Sequence, residues 1–69
     1  MDDKTKRGLA TFYKDNIQAV HITKSGGHWH NGIIVEVKGD FLILEDERVG
    51  DIPIFFSEIN LIDKREARR

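Results

Sequence analysis

Two adjacent glycines, Gly26-Gly27, and a third after four more residues, Gly32, sit among β-forming residues and restrict the fold more than any other feature. A glycine pair accepts the positive φ of a tight hairpin turn, so it joins a strand at 17–25 to a strand at 28–37. A glycine inside a strand weakens it, and is expected where the strand bends around a barrel corner. The spacing therefore predicts a small, strongly bent antiparallel barrel.

The turn also sets the pairing. A two-residue turn places Ser25 opposite His28, Ile22 opposite Asn31 and Val20 opposite Ile33. Val20, Ile22, Ile33, Val35 and Val37 then share one face. A three-residue loop sets Val20 and Ile22 beside Gly32 and His30 instead. The first register gathers an apolar face and is the expected one. Lys38-Gly39-Asp40 is the next turn, and 41–46 the third strand, with Leu42 and Leu44 inward. A loop around Gly50 leads to a fourth strand at 52–56, and Ser57-Glu58 turns the corner into a fifth at 59–63.

Ahead of the strands, 4–15 reads as a helix capped by Asp3, with Leu9, Phe12 and Tyr13 on one face. Trp29 is expected to pack beneath it, with its indole N–H satisfied. The chain is mainly β: an N-terminal helix, a five-stranded antiparallel barrel over 17–63, and a basic tail over 64–69, all in one domain spanning 1–69.

The fourth strand breaks the pattern. Ile52, Pro53, Ile54, Phe55 and Phe56 are apolar on both faces, where a half-buried strand alternates. Proline cannot donate to a central ladder, so this is an edge strand. An apolar edge is an aggregation hazard unless something covers it. A 69-residue chain buries only about 60% of its unfolded surface and has no cysteine to staple it. A second copy of the chain is the expected cover, with the N-terminal helix as the alternative.

These residues resemble the Sm and Sm-like (LSm/Hfq-type) family. The match lies in Lys24-Ser25-Gly26-Gly27, Gly32, the run Leu42-Ile43-Leu44-Glu45-Asp46, and Ile54 with Ile59. The resemblance implies a helix capping an SH3-like barrel, and rings of five to seven copies in which strand four of one copy pairs with strand five of the next. Ile52, Ile54, Phe55, Phe56, Ile59 and Leu61 would then carry the subunit interface. It also implies an RNA site on the turns between strands two and three and between strands four and five. There this chain departs from the family. Lys38 stands where an aspartate is usual, Phe41 where an asparagine is usual, and Ile54-Phe55-Phe56 replaces Ile-Arg-Gly. The Tyr-Lys-His of Hfq is also absent.

A uracil-reading pocket needs an amide and a cation near phosphate, and phenylalanine supplies neither. Phe41 could stack on a base, with Lys38 and Asp40 beside it. Charge points elsewhere. Between residues 25 and 62 there are seven acids against two bases, whereas Lys64, Arg65, Arg68 and Arg69 make the C-terminus basic. A ring would repeat Lys64 and Arg65, with Lys4, Lys6 and Arg7, so weak phosphate contacts would add. Single-stranded RNA bound through the termini or a modified pore is the expected function. The alternative is an Sm-like assembly module that binds no nucleic acid.

Other chemistry finds little support. His21, His28 and His30 share a face in the expected register, but no carboxylate or cysteine completes a zinc site. No serine has a partner histidine, so no enzyme, cofactor or metal is expected. No apolar run suits a membrane span and the N-terminus is polar, so a cytoplasmic protein is expected.

Overall fold

The computed structural model describes residues 2–66. Helix α1 (Asp3–Asp15) precedes β1 (Ala19–Lys24), β2 (Trp29–Val37), β3 (Phe41–Asp46), β4 (Gly50–Phe55) and β5 (Ile59–Lys64). The strands form one antiparallel sheet in the order β4-β3-β2-β1-β5. Arg68 and Arg69 of the expected basic tail lie outside the described residues.

The helix cap is Asp2 rather than Asp3, its carboxylate accepting the Thr5 N–H at 2.7 Å. The buried helix face also differs. Lys6 and Ala10 are buried, and Leu9 and Tyr13 pack against the core, while Phe12 is 60% exposed. Lys6 is drawn inward because its ammonium donates to the Phe56 carbonyl at 2.8 Å and lies 3.5 Å from Asp3. A buried cation needs such partners, and this pair ties α1 to the corner before β5.

The β1–β2 connection is a three-residue 3₁₀ turn, Ser25–Gly27, so the pairing is the alternative one. Val20 faces Gly32, Ile22 faces His30 and Thr23 faces Trp29. Gly26 and Gly27 both take positive φ, 82° and 84°, which the longer loop uses as readily as a tight one. The one-residue slip changes which side chains of β2 point inward. Ile34 is buried, whereas Val35 is 46% exposed. A register shift against β3 between Ile34 and Glu36 then brings Val37 back against the core. The sequence disfavours this pairing because it sets Gly32 and His30, rather than apolar side chains, beside Val20 and Ile22. In fact a Cβ at Gly32 would lie 2.0 Å from the Glu45 carbonyl oxygen, because the β3 backbone fills that space.

Leu42 and Leu44 point inward as expected, and join Val20, Ile22, Ile34, Ile54, Phe56, Ile59 and Ile62 in the core. The first strand begins at Ala19 rather than 17, because Ile17 takes φ 50°. A left-handed β-branched residue cannot extend a strand.

β4 and β5 are the two ends of the sheet, each with one unpaired edge. Ile54 and Phe56 are fully buried and Ile59 nearly so, within this chain's own core. Of the residues expected at a subunit interface, Phe55 and Leu61 are exposed and Ile52 half-buried. Pro53 sits within the edge strand, where its missing N–H is tolerated.

Candidate nucleic-acid interface

The three-residue turn determines what the outer face of β1 and β2 displays. With His21 opposite Asn31 and Thr23 opposite Trp29, alternation puts all four side chains on that face. Trp29 therefore does not pack under the helix. It is 47% exposed, with the His21 ring tilted against it at 5.5 Å between centroids. His21 Nδ1 lies 2.6 Å from the Asn31 carboxamide oxygen.

His30 occupies the opposite face, so the three histidines do not share one, as the expected register had placed them. Its Nδ1 lies 2.9 Å from Asp46 Oδ2. Among the described residues, no group of three histidine, cysteine, aspartate or glutamate side chains is arranged to hold a metal.

Asp46 organises the β3–β4 turn. Its Oδ1 accepts the backbone N–H groups of Arg48, at 2.7 Å, and Val49, at 3.2 Å. The Arg48 N–H, opposed by burial and assisted by His30, holds this carboxyl below its ordinary value. A depressed folded-state pKa means stability that is fully present above the ordinary value of 3.8 and lost as pH falls through the lower, folded value. Acid unfolding followed by circular dichroism checks this: Asp46→Asn is expected to flatten the stability loss below pH 4 relative to the parent chain.

The turn so held carries Arg48 over the Trp29 ring, at 5.5 Å from its centroid. The Glu47 N–H bonds the Asn31 carbonyl at 2.9 Å, and the Glu47 carboxylate pairs with Arg65. Arg65 is anchored in turn by its own N–H to the Ala19 carbonyl, at 2.9 Å. A cavity of about 220 Å³ lies between these elements, lined by Trp29, His30, Asn31, Asp46, Glu47, Arg48 and Arg65. An exposed indole can stack a planar base in the place Arg48 takes over its ring, with two guanidinium groups at hand to meet phosphate.

The other expected site residues lie elsewhere. Lys38 pairs with Glu36 at 2.9 Å. The Asp40 carbonyl accepts the Phe56 N–H, and the Phe41 ring tilts against Phe55 at 5.4 Å. Lys38 also borders an open groove with Lys4, Arg7, Thr11 and Lys14 of α1. Arg7 spans it, donating to the Gly39 carbonyl at 3.0 Å. Lys64, by contrast, adjoins Arg65, His21 and Asn31. The expected RNA-binding residues thus fall in two groups, Lys38 with Asp40 and Phe41, and Lys64 with Arg65. Trp29, Asn31 and Arg48 were not among them. The signal that could have found them was the three-residue loop register, which turns Trp29 and Asn31 outward together.

No family model and no curated protein matches this sequence. The structure is similar to the 1.55 Å crystal structure of the pleiotropic translational regulator Hfq, with TM-score 0.76 over 86% of this chain and 97% of that one, at 17% identity. The chain has the Sm-like fold that its glycine spacing and Leu-x-Leu-Glu-Asp strand resemble. No helix of the described residues is long and apolar enough to cross a membrane.

Proposed function

From the Sm-like fold as premise, we propose that this chain assembles into a homo-oligomeric ring and binds single-stranded RNA. The observation that carries the RNA reading is the exposed Trp29, flanked by Arg48 and Arg65 on the outer face of β1 and β2. The likeness to Hfq, a translational regulator, supports it.

Ring closure is supported by the two unpaired edges of the sheet. Pairing β4 of one copy with β5 of the next satisfies both edges at once, a head-to-tail contact that closes when its rotation does. Ile52, Phe55 and Leu61 would contribute side chains to that contact. Ile54, Phe56 and Ile59, whose side chains are buried, would contribute backbone. Around the ring, Arg65 would recur beside each Trp29, and Lys64 beside each His21 and Asn31. Lys38, Asp40 and Phe41 would form a second point of contact, with Phe55 beneath Phe41. The reading predicts no catalysis.

Light scattering and fluorescence anisotropy test the two halves separately. The expected mass is an integral multiple of the 8.0 kDa chain, five to seven in a ring of the family's kind. Labelled single-stranded RNA is expected to bind, and more weakly as salt rises, because released counterions favour the complex. A ring that ignores RNA at low salt would establish the alternative, an assembly module, which the acidic strand region favours. A monomeric mass would overturn the ring.

A further inference from the structure

We infer that His21, by fixing the Asn31 carboxamide, makes the Trp29 face prefer guanine over adenine in single-stranded RNA. The inference rests on the RNA-binding reading above and names the base that the same face takes.

A carboxamide oxygen accepts hydrogen bonds and cannot donate them. The 2.6 Å contact from His21 Nδ1 to Asn31 Oδ1 therefore places the proton on Nδ1 and turns the amide oxygen toward the imidazole. The imidazole is itself held against the Trp29 ring. Asn31 is left presenting its Nδ2 group, a donor, which makes no hydrogen bond among the described residues.

The neighbouring groups have the same polarity. Arg48 and Arg65 are donors without acceptors. The two carboxylates nearby are engaged, Glu47 with Arg65, and Asp46 with His30 and the turn N–H groups. A base stacked on Trp29 thus meets a wall of donors.

Such a wall sorts the purines. Guanine offers two acceptors on one edge, N7 and O6, whereas adenine offers N7 beside a donor, N6. Asparagine usually reads adenine through both ends of its amide, its oxygen accepting from N6. Here His21 occupies that oxygen. A guanidinium is also the commonest partner of guanine O6 and N7. Uracil has acceptors but a smaller face to stack on the indole.

Anisotropy with the full chain and three short labelled RNAs tests this: a U-G repeat, a U-A repeat and oligo-U, at one salt concentration. The U-G repeat is expected to bind about tenfold more tightly than the U-A repeat. His21→Ala frees the amide to rotate and is expected to bring the two affinities together by strengthening the U-A complex. Asn31→Asp replaces the donor with an acceptor and is expected to favour U-A. Circular dichroism of each variant establishes that it is folded.

Equal affinities in the parent chain, or tighter binding of U-A, would overturn the guanine preference and leave the RNA-binding face standing. A preference that survives His21→Ala unchanged would remove His21 from the role given to it. Failure of all three RNAs to bind would overturn the RNA reading itself, and this inference with it.

Discussion

Gly32→Ala is expected to unfold this protein, or nearly so. The new methyl group would sit 2.0 Å from the Glu45 carbonyl oxygen, 2.8 Å from its carbon and 3.1 Å from the Asp46 Cα. All three atoms are backbone, so no side chain can swing away. Relief requires β2 and β3 to separate where Gly32 pairs with Asp46. Overpacking typically costs about 1–3 kcal/mol, and a rigid collision belongs at or beyond the top of that range. Native domains are stable by only about 5–15 kcal/mol, and a chain this short belongs at the low end. Each lost kcal/mol lowers the Tm of a small domain by roughly 4–8 °C, so a fall of about 15 °C or more is expected in a thermal melt. Gly8→Ala is the control of opposite sign. Nothing lies within 4 Å of a Cβ there, and alanine favours a helix by roughly 1 kcal/mol. A Gly32→Ala chain that melts with the parent would show that β3 does not cross β2 as closely as described.

On the proposed RNA-binding reading, Trp29→Ala is expected to remove most RNA affinity while leaving the fold intact. The indole is half exposed and outside the core, so its loss opens no cavity. Stacking of a base on an aromatic side chain contributes about 1–3 kcal/mol per base, which is roughly tenfold to a hundredfold in affinity. The proposed ring would repeat the loss at every copy, and linked sites would multiply it. Arg48→Ala is expected to do less, because a base retains the indole beneath it. Anisotropy of a folded Trp29→Ala variant checks the result. Unchanged affinity would move the binding surface to the Lys38 and Phe41 turn.

Much of the architecture was legible because side-chain alternation and turn chemistry are local. Leu42 and Leu44 pointed inward, Pro53 marked an edge, and the Ser57-Glu58 corner turned where its residues favoured it. Register was harder. Both candidate loops used the same two glycines, and the choice between them turned on which one filled a core. Counting apolar side chains alone favours the two-residue turn. At Gly32 the passing backbone of β3 takes the place of a side chain. The register bears on the candidate site, because one residue of slip exchanges the faces of a strand. The two-residue turn puts Trp29 under the helix and three histidines together, whereas the structure turns Trp29 and Asn31 outward beside His21 and sends His30 to Asp46.

The amino-acid sequence alone determined the element types, the bend and the edge character of β4, since each follows from a residue's own conformational limits or from its immediate neighbours. Only the tertiary structure decided which residues meet around Trp29. Arg48 and Arg65 are distant from it in the chain and reach it because Asp46 shapes one turn and Ala19 anchors the end of another strand. Contacts of that kind depend on how several strands cross in space, and no spacing within one segment encodes them.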